Sequence, residues 1–267
     1  MSGQLPLALR EVLPSDTART WVLLRDHLPD SLVLYGGTAL AAHLGHRVSR
    51  DLDFFYSGPL DLTALRRKLE SIGKLAVSTE HADSLNAVFN STRVQFLRTR
   101  GQQALESPTV LAGIKVAGVR DIAATKLKVV ADRGELRDYF DLMVIEQRTA
   151  VTVESALLDF QERYHTHDSN TLVHIIRALG TFSDVNDDPG LPVARDIIEG
   201  YWGRRARSLT LTIDSSGTTS IRPTAAALAP RTGEGSLAES PGSDDGVVWV
   251  EPHERGGRLI RGYWRRR

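Results

Sequence analysis

Leu34-Tyr35-Gly36-Gly37, followed after thirteen residues by Asp51-Leu52-Asp53-Phe54, is the stretch that decides the fold. Ser31 to Tyr35 is a short apolar strand that stops at the glycine pair. Two glycines there allow a tight turn and let backbone N–H groups approach an anion with no Cβ in the way. Thr38 to His46 has the spacing of a helix, with Ala39, Leu40, Ala42 and His43 available to pack back on the strand. Its N-terminus points at the turn, where negative charge is favoured. Asp51 to Tyr56 alternates Asp, Leu, Asp, Phe, so a second strand puts Asp51 and Asp53 on one face and Leu52 and Phe54 on the other.

Working outward, Ser15 to Leu28 is a helix, with Ser15 or Asp16 as its cap and Trp21, Leu24 and Leu28 at helical spacing. Asp61 to Ser71 is another, capped near Asp61 and closed by Gly73. From Leu75 the period changes to two: Leu75–Val77, Leu85–Phe89 and Val94–Leu97 are strands between polar turns. Beyond about Val116 the pattern is helical, over Asp121–Arg133, Leu136–Gln147, Thr152–Tyr164, Asn170–Leu179 and Val193–Arg207. This predicts an α+β chain: a mixed-sheet domain over residues 1 to 118 and a helical domain over 119 to 207. Residues 208 to 246 are rich in Ser, Thr, Gly, Ala and Pro, the composition of a disordered linker. Residues 247 to 267 form a short basic tail, with aromatic and strand-forming residues around Gly256-Gly257 that suit a small hairpin. Its six arginines from Arg255 onward, beside Tyr263 and Trp264, suit contact with phosphates and bases.

Lys+Arg and Asp+Glu both total 33, so no global field announces a polyanionic partner. The absence of cysteine excludes disulfides, thiolate metal sites and a cysteine nucleophile, and suits a reducing cytoplasm. Neither a basic-then-apolar leader nor an apolar run of membrane-spanning length is present, so the expected location is cytoplasmic, with no membrane partner.

Asp51 and Asp53, side by side, repel each other unless a divalent cation lies between them, and a pure oxygen ligand set suits Mg²⁺. A cation so held can bridge the phosphates of a nucleotide and activate an attacking hydroxyl. Neither motif is specific alone. In strand–turn–helix–strand order they resemble the polymerase-β-like nucleotidyltransferases. More narrowly, Gly36-Gly-Thr-Ala-Leu40 and His46-Arg-Val-Ser-Arg-Asp-Leu-Asp-Phe54 resemble the AbiEii-type toxins, which include the MenT-type tRNA-modifying toxins. A second block agrees: Asp121-Ile-Ala-Ala-Thr-Lys126, then Arg133, then Arg137-Asp-Tyr-Phe-Asp141-Leu142. The resemblance covers roughly residues 31 to 145.

It implies that Asp51 and Asp53 bind the metal, Mg²⁺ or Mn²⁺. Gly36, Gly37, Thr38 and Ser49 hold the phosphates of a nucleoside triphosphate (NTP), Lys126 contacts its triphosphate, and Asp141 completes the site. It further implies a nucleotidyltransferase that releases pyrophosphate, with the 3′ end of tRNA as acceptor and a cognate antitoxin as partner. The residue spacing suits these roles: Lys126, Val130 and Arg133 share one helix face, as do Asp138 and Asp141 on the next. Many superfamily members carry a third carboxylate on a later strand; here Arg93-Val94-Gln95-Phe96-Leu97 offers only Gln95. His43 and His46, with no further ligand at metal spacing, read as packing or phosphate contacts. Two alternatives stay open: nucleotidyl transfer to a protein or small molecule, and a nucleotide-binding regulatory module without catalysis.

Overall fold

The structure, a computed structural model, describes residues 4–213, 219–223, 247–250, 253–255, 258–260 and 263–266. The chain divides into two compact units, residues 1–127 with 155–166, and residues 128–154 with 167–267. The sequence suggests a single cut near residue 118; this division instead returns 155–166 to the first unit.

The first unit begins with α1 (Leu7–Val12) and α2 (Ser15–Leu24). α1 is not legible in the sequence, because its six residues bury only Leu9 and Val12, too few for a periodic signal. Pro14 takes the N-cap of α2, so Ser15 and Asp16 lie inside its first turn instead of capping it. Next come β1 (Val33–Tyr35), α3 (Gly36–Leu44), β2 (Leu52–Tyr56) and α4 (Leu62–Ile72). α4 follows the sequence closely: the Asp61 carboxylate accepts from Ala64 N–H at 2.9 Å, and Leu62, Leu65 and Leu69 are buried. The strands β3 (Leu75–His81), β4 (Ser84–Phe89), β5 (Thr92–Arg98), β6 (Thr109–Leu111) and β7 (Ile114–Val116) complete a seven-stranded sheet.

The sheet runs β3-β4-β5-β2-β1-β7-β6. It is mixed, as expected: β2 is parallel to β5 and β1 to β7, while the other pairs are antiparallel. Leu52 and Phe54 on β2 are buried, with Phe54 stacked on Phe96 of β5 at 5.4 Å between ring centroids. Phe55 on the opposite face stacks on Tyr35. The strands of the DxD motif and of the glycine pair therefore lie at the middle of the sheet, held by apolar packing on both faces.

α5 (Val119–Arg133) leaves the sheet, followed by α6 (Leu136–Arg148), α7 (Val153–Tyr164), α8 (Ser169–Leu179) and α9 (Arg195–Arg205). In the second unit, the buried Trp202 of α9 donates Nε1–H to the Tyr139 carbonyl at 2.9 Å. Arg205 pairs with Glu146 at 2.8 Å and also with Glu154. Asp138 is explained locally, since it forms a capping box with Glu135 at the start of α6.

Within the stretch that reads as a linker, β8 (Leu209–Ile213) and β9 (Thr219–Pro223) pair antiparallel. Composition hides them, but Leu209-Thr-Leu-Thr-Ile213 alternates with the period of a strand. Residues 224–246 of that expected linker lie outside the described residues. In the tail, β10 (Val247–Val250) pairs with β13 (Tyr263–Arg266), and β11 (His253–Arg255) with β12 (Arg258–Ile260); the expected turn at Gly256-Gly257 lies outside the described residues. Among the described residues no helix is long and apolar enough to cross a membrane.

Candidate active site

Gly36 opens α3 directly; the sequence suggests that the helix begins two residues later, at Thr38. Its φ of +73° is left-handed, and a Cβ there would collide with Asp53 Oδ2. Glycine is thus required at position 36 for two independent reasons, backbone conformation and the approach of a carboxylate. Tyr35 holds the N-cap and makes no side-chain capping bond. The first amides of α3 therefore have no intrahelical acceptor and favour an anion.

The segment that delivers the carboxylates is pinned from three sides. Gly45 closes α3 in a left-handed C-cap. Ser49 N–H donates to the Val12 carbonyl of α1 at 2.9 Å, and Thr17 of α2 donates its hydroxyl to the Arg50 carbonyl at 2.9 Å. Thr38 hydrogen-bonds to the Asp51 carbonyl and stands 2.8 Å from Ser49 Oγ. Thr38 and Ser49 are both buried. Six of the sequence-derived residues, Gly36, Gly37, Thr38, Ser49, Asp51 and Asp53, are thereby gathered at one end of α3 and β2. Thr17 and the α1 carbonyl have no signal in the sequence, because their contribution is a backbone contact between distant segments.

Arg47 was likewise absent from the sequence-derived set. A Cβ on Gly37 would lie 3.3 Å from both Arg47 Cζ and Ser49 Oγ, and would collide with Arg47 Nη2. The guanidinium therefore stands against the second glycine as the Asp53 carboxylate stands against the first. The usable signal is the glycine pair itself, since two adjacent positions without Cβ imply two close neighbours.

Across the sheet, Asp53 is in register with Tyr35 on one side and Gln95 on the other. Gln95 Nε2 donates to Asn86 Oδ1 at 2.8 Å, and Asn86 Nδ2 donates to Thr79 Oγ1 at 2.8 Å. A row of side-chain amides, in place of a carboxylate, thus continues the line from Asp53. Asp51 and Asp53 are both half-buried, and the register neighbour of Asp53 on β5 is the Gln95 amide. Such a set fits a hard divalent cation and no thiophilic one.

Lys126, expected from the sequence to contact the triphosphate, lies on α5 within the first unit and is buried. Asp141 is fully buried on α6 and belongs to the second unit. His43 Nε2 lies 2.8 Å from the Ala117 carbonyl, which accounts for it as a packing residue. His46 is buried, and no group of three or more metal-ligating side chains is found among the described residues. Arg66 is engaged with Glu70 and Glu80, each at 2.9 Å, as a surface ion-pair site.

Behind the glycine turn lies a buried charge pair. Arg163 of α7 pairs with Asp121 of α5, and both are almost wholly excluded from solvent. The Arg163 guanidinium also sits 5.0 Å from the centre of the Tyr35 ring. Burial pushes the Tyr35 hydroxyl above its ordinary pKa, against the opposing pull of Arg163. Burial likewise raises the Asp121 carboxyl, opposed by the Leu105 N–H and by Arg163.

Comparison with known proteins gives a match to the family model described as nucleotidyl transferase AbiEii toxin, type IV TA system, over residues 21–227. The uncharacterized protein aq_aa25 of Aquifex aeolicus (strain VF5) is 29% identical over 173 residues, 63% of this chain and 80% of that protein. Among solved structures, the nucleotidyltransferase toxin MenT4 of Mycobacterium tuberculosis H37Rv is 21% identical. That match covers 74% of this chain and 83% of MenT4, with a TM-score of 0.47. JHP933 of Helicobacter pylori is 19% identical, over 73% of this chain and 97% of that one, with a TM-score of 0.41.

Proposed function

Since the chain belongs to the AbiEii family of nucleotidyl transferase toxins, we propose that its substrate is an NTP and its acceptor the 3′-terminal hydroxyl of tRNA. The acceptor oxygen attacks the α-phosphorus in line, the new P–O bond forms, the bond to the β-phosphate bridge breaks, and pyrophosphate leaves. The observation that carries this reading is the contact of Asp53 with Gly36 at the uncapped start of α3. It supports the reading because a carboxylate beside amides that favour phosphate could hold a cation against a bound phosphate. Asp51 and Asp53 hold the cation, Mg²⁺ or Mn²⁺, which when bound supplies charge neutralisation for the phosphates. The amides of Gly36, Gly37 and Thr38, with the Ser49 hydroxyl, orient the donor. Lys126 stabilises charge growing on the departing pyrophosphate. Asp141 keeps the catalytic role that the family resemblance implies for it. The biological role is growth arrest in the cytoplasm, relieved by a cognate antitoxin.

Gln95 at the position beside Asp53 favours one competing reading, a nucleotide-binding module without turnover. Incubation with each labelled NTP, Mg²⁺ and total RNA separates them. Labelled tRNA supports transfer to RNA. Label on protein or small molecules moves the acceptor, and binding without any labelled product supports the module.

Burial of Lys126 changes the substitution that tests it. Alanine would confound lost charge with lost packing, whereas Lys126→Met keeps the apolar stem. The expected result for Lys126→Met is a kcat lower by about 10²-fold or more, with a melting temperature close to that of the unsubstituted protein. Full turnover in Lys126→Met would make Lys126 a structural residue.

A further inference from the structure

Tyr35 joins the buried Arg163–Asp121 pair to the glycine turn, and the metal and donor assignments leave it unused. It is the last residue of β1 and the N-cap of α3, and its backbone runs directly into the left-handed Gly36. Across β1 and β2 it is in register with Asp53, so the two side chains project from the same face of the sheet. The Asp53 carboxylate stands against Gly36, the residue next to Tyr35. The Tyr35 ring is itself held by two partners. It stacks on Phe55, two residues beyond Asp53 on β2, with 4.5 Å between centroids and 16° between planes. The Arg163 guanidinium lies 5.0 Å from its centre, and Tyr35 and Arg163 are both buried. A guanidinium shielded from water attracts a ring face more strongly than one on the surface. Arg163 is in turn fixed by Asp121 and by the Gln103 carbonyl. All of these residues belong to the first unit.

We infer that Tyr35, held by Arg163 and Phe55, is a positioning residue that fixes the Asp53 carboxylate against the Gly36 turn. This rests on the nucleotidyltransferase reading above. Asp53 is half-buried and its side chain rotates about two bonds, so the backbone alone does not set where its oxygens lie. A rigid ring at the paired position, with its Cβ about 5 Å away, closes the side of β1 to the carboxylate and leaves the glycine turn as its seat. The ring does this by shape, and its hydroxyl has no part in it. A carboxylate that swings away costs metal affinity, as loss of an orienting neighbour does in metal sites generally. It also costs turnover, because a misplacement near 1 Å is enough to slow a chemical step about 10²-fold. A residue that only supports the fold has neither effect on molecules that remain folded.

The test measures Mn²⁺ affinity, from the paramagnetic resonance signal of the free ion, and kcat and KM for transfer from labelled NTP to total RNA. Both are read on the full chain, at a temperature where thermal melting shows every variant to be folded. Tyr35→Leu, which stays apolar but removes the ring, is expected to weaken Mn²⁺ binding by roughly tenfold. Its kcat should fall by roughly 10- to 100-fold, with KM for NTP within about threefold of the unsubstituted protein. Tyr35→Phe keeps the ring and should match the unsubstituted protein within about twofold in affinity and kcat. Arg163→Lys keeps a positive charge beside Asp121 but lays no planar group on the ring, and should lose roughly three- to tenfold in kcat. Leu69→Ala, on the buried face of α4, is the control: it should melt earlier with Mn²⁺ affinity and kcat unchanged. Unchanged affinity and kcat in Tyr35→Leu overturn the inference and leave the nucleotidyltransferase reading standing. An equal loss in Tyr35→Phe also overturns it, because the hydroxyl is then the active group. A parallel loss in Leu69→Ala does the same, as the mark of general loosening. Full affinity and kcat in Arg163→Lys overturn the part given to Arg163. If the unsubstituted protein neither binds Mn²⁺ nor labels RNA, both readings fall together.

Discussion

Replacing Asp51 or Asp53 with alanine is expected to abolish nucleotidyl transfer, by about 10³-fold or more, while leaving the protein folded. Neither side chain is in the apolar core: both are half-buried, and the core positions of β2 belong to Leu52, Phe54 and Tyr56. Either substitution removes a proposed metal ligand without removing an apolar core contact, so the metal-free melting temperature should be essentially unchanged. The backbone at Asp51 is held through its carbonyl by Thr38, a bond that alanine retains. Asp53→Ala removes only the steric reason for glycine at position 36; the left-handed φ of +73° still requires it. Titration with Mn²⁺ should show a loss of binding in both variants alongside the loss of turnover. Turnover near that of the unsubstituted protein in either variant would remove the Asp pair from the active site.

The parts of this site that the sequence reveals are those in which one local pattern does one physical job. The Gly36-Gly37 pair after an apolar strand and the Asp-x-Asp alternation are such patterns, and the structure gathers them as their spacing suggests. α4 was legible for the same reason, with a capping Asp61 and leucines three and four residues apart. What the sequence hides is tertiary. α1 is too short to show a period, yet its Val12 carbonyl anchors Ser49. Arg47 looks like one more arginine in a polar loop until its guanidinium is seen against Gly37. Lys126 reads as a cation on a helix face with Val130 and Arg133, and its burial comes from packing that no spacing encodes. Composition also misled at Leu209–Ile213 and Thr219–Pro223, where threonine and serine suggest a linker but the two segments pair as strands.

The largest expected effect on stability comes from Arg163, a residue without any motif. Its guanidinium pairs with Asp121 and donates to the Gln103 carbonyl at 3.0 Å and to Gln102 Oε1 at 3.2 Å. Asp121 in turn accepts from the N–H groups of Leu105 and Glu106, at 3.1 and 2.9 Å. One buried pair therefore ties α7, α5 and the 102–106 loop together. Breaking such a pair from one side leaves an uncompensated buried charge, and Arg163→Met is expected to lose about 3–5 kcal/mol. Adding Asp121→Asn removes the stranded charge but keeps an acceptor for the loop amides. The double variant should therefore be more stable than the sum of the two single losses implies, with a coupling of roughly 1–3 kcal/mol. Proton linkage gives an independent check. Burial already raises the Asp121 carboxyl, and removing Arg163 removes one of the influences that lower it. A carboxyl whose folded pKa lies above its unfolded value, about 3.9, contributes stability at low pH and loses it as pH rises through the folded pKa. The deficit of Arg163→Met relative to the unsubstituted protein should accordingly shrink as the pH is lowered from 7 toward 5. Urea unfolding of the three variants at both pH values measures all of this. A loss below about 1 kcal/mol in Arg163→Met, or a deficit that widens at pH 5, would mean that the pair does not hold the first unit together as its burial implies.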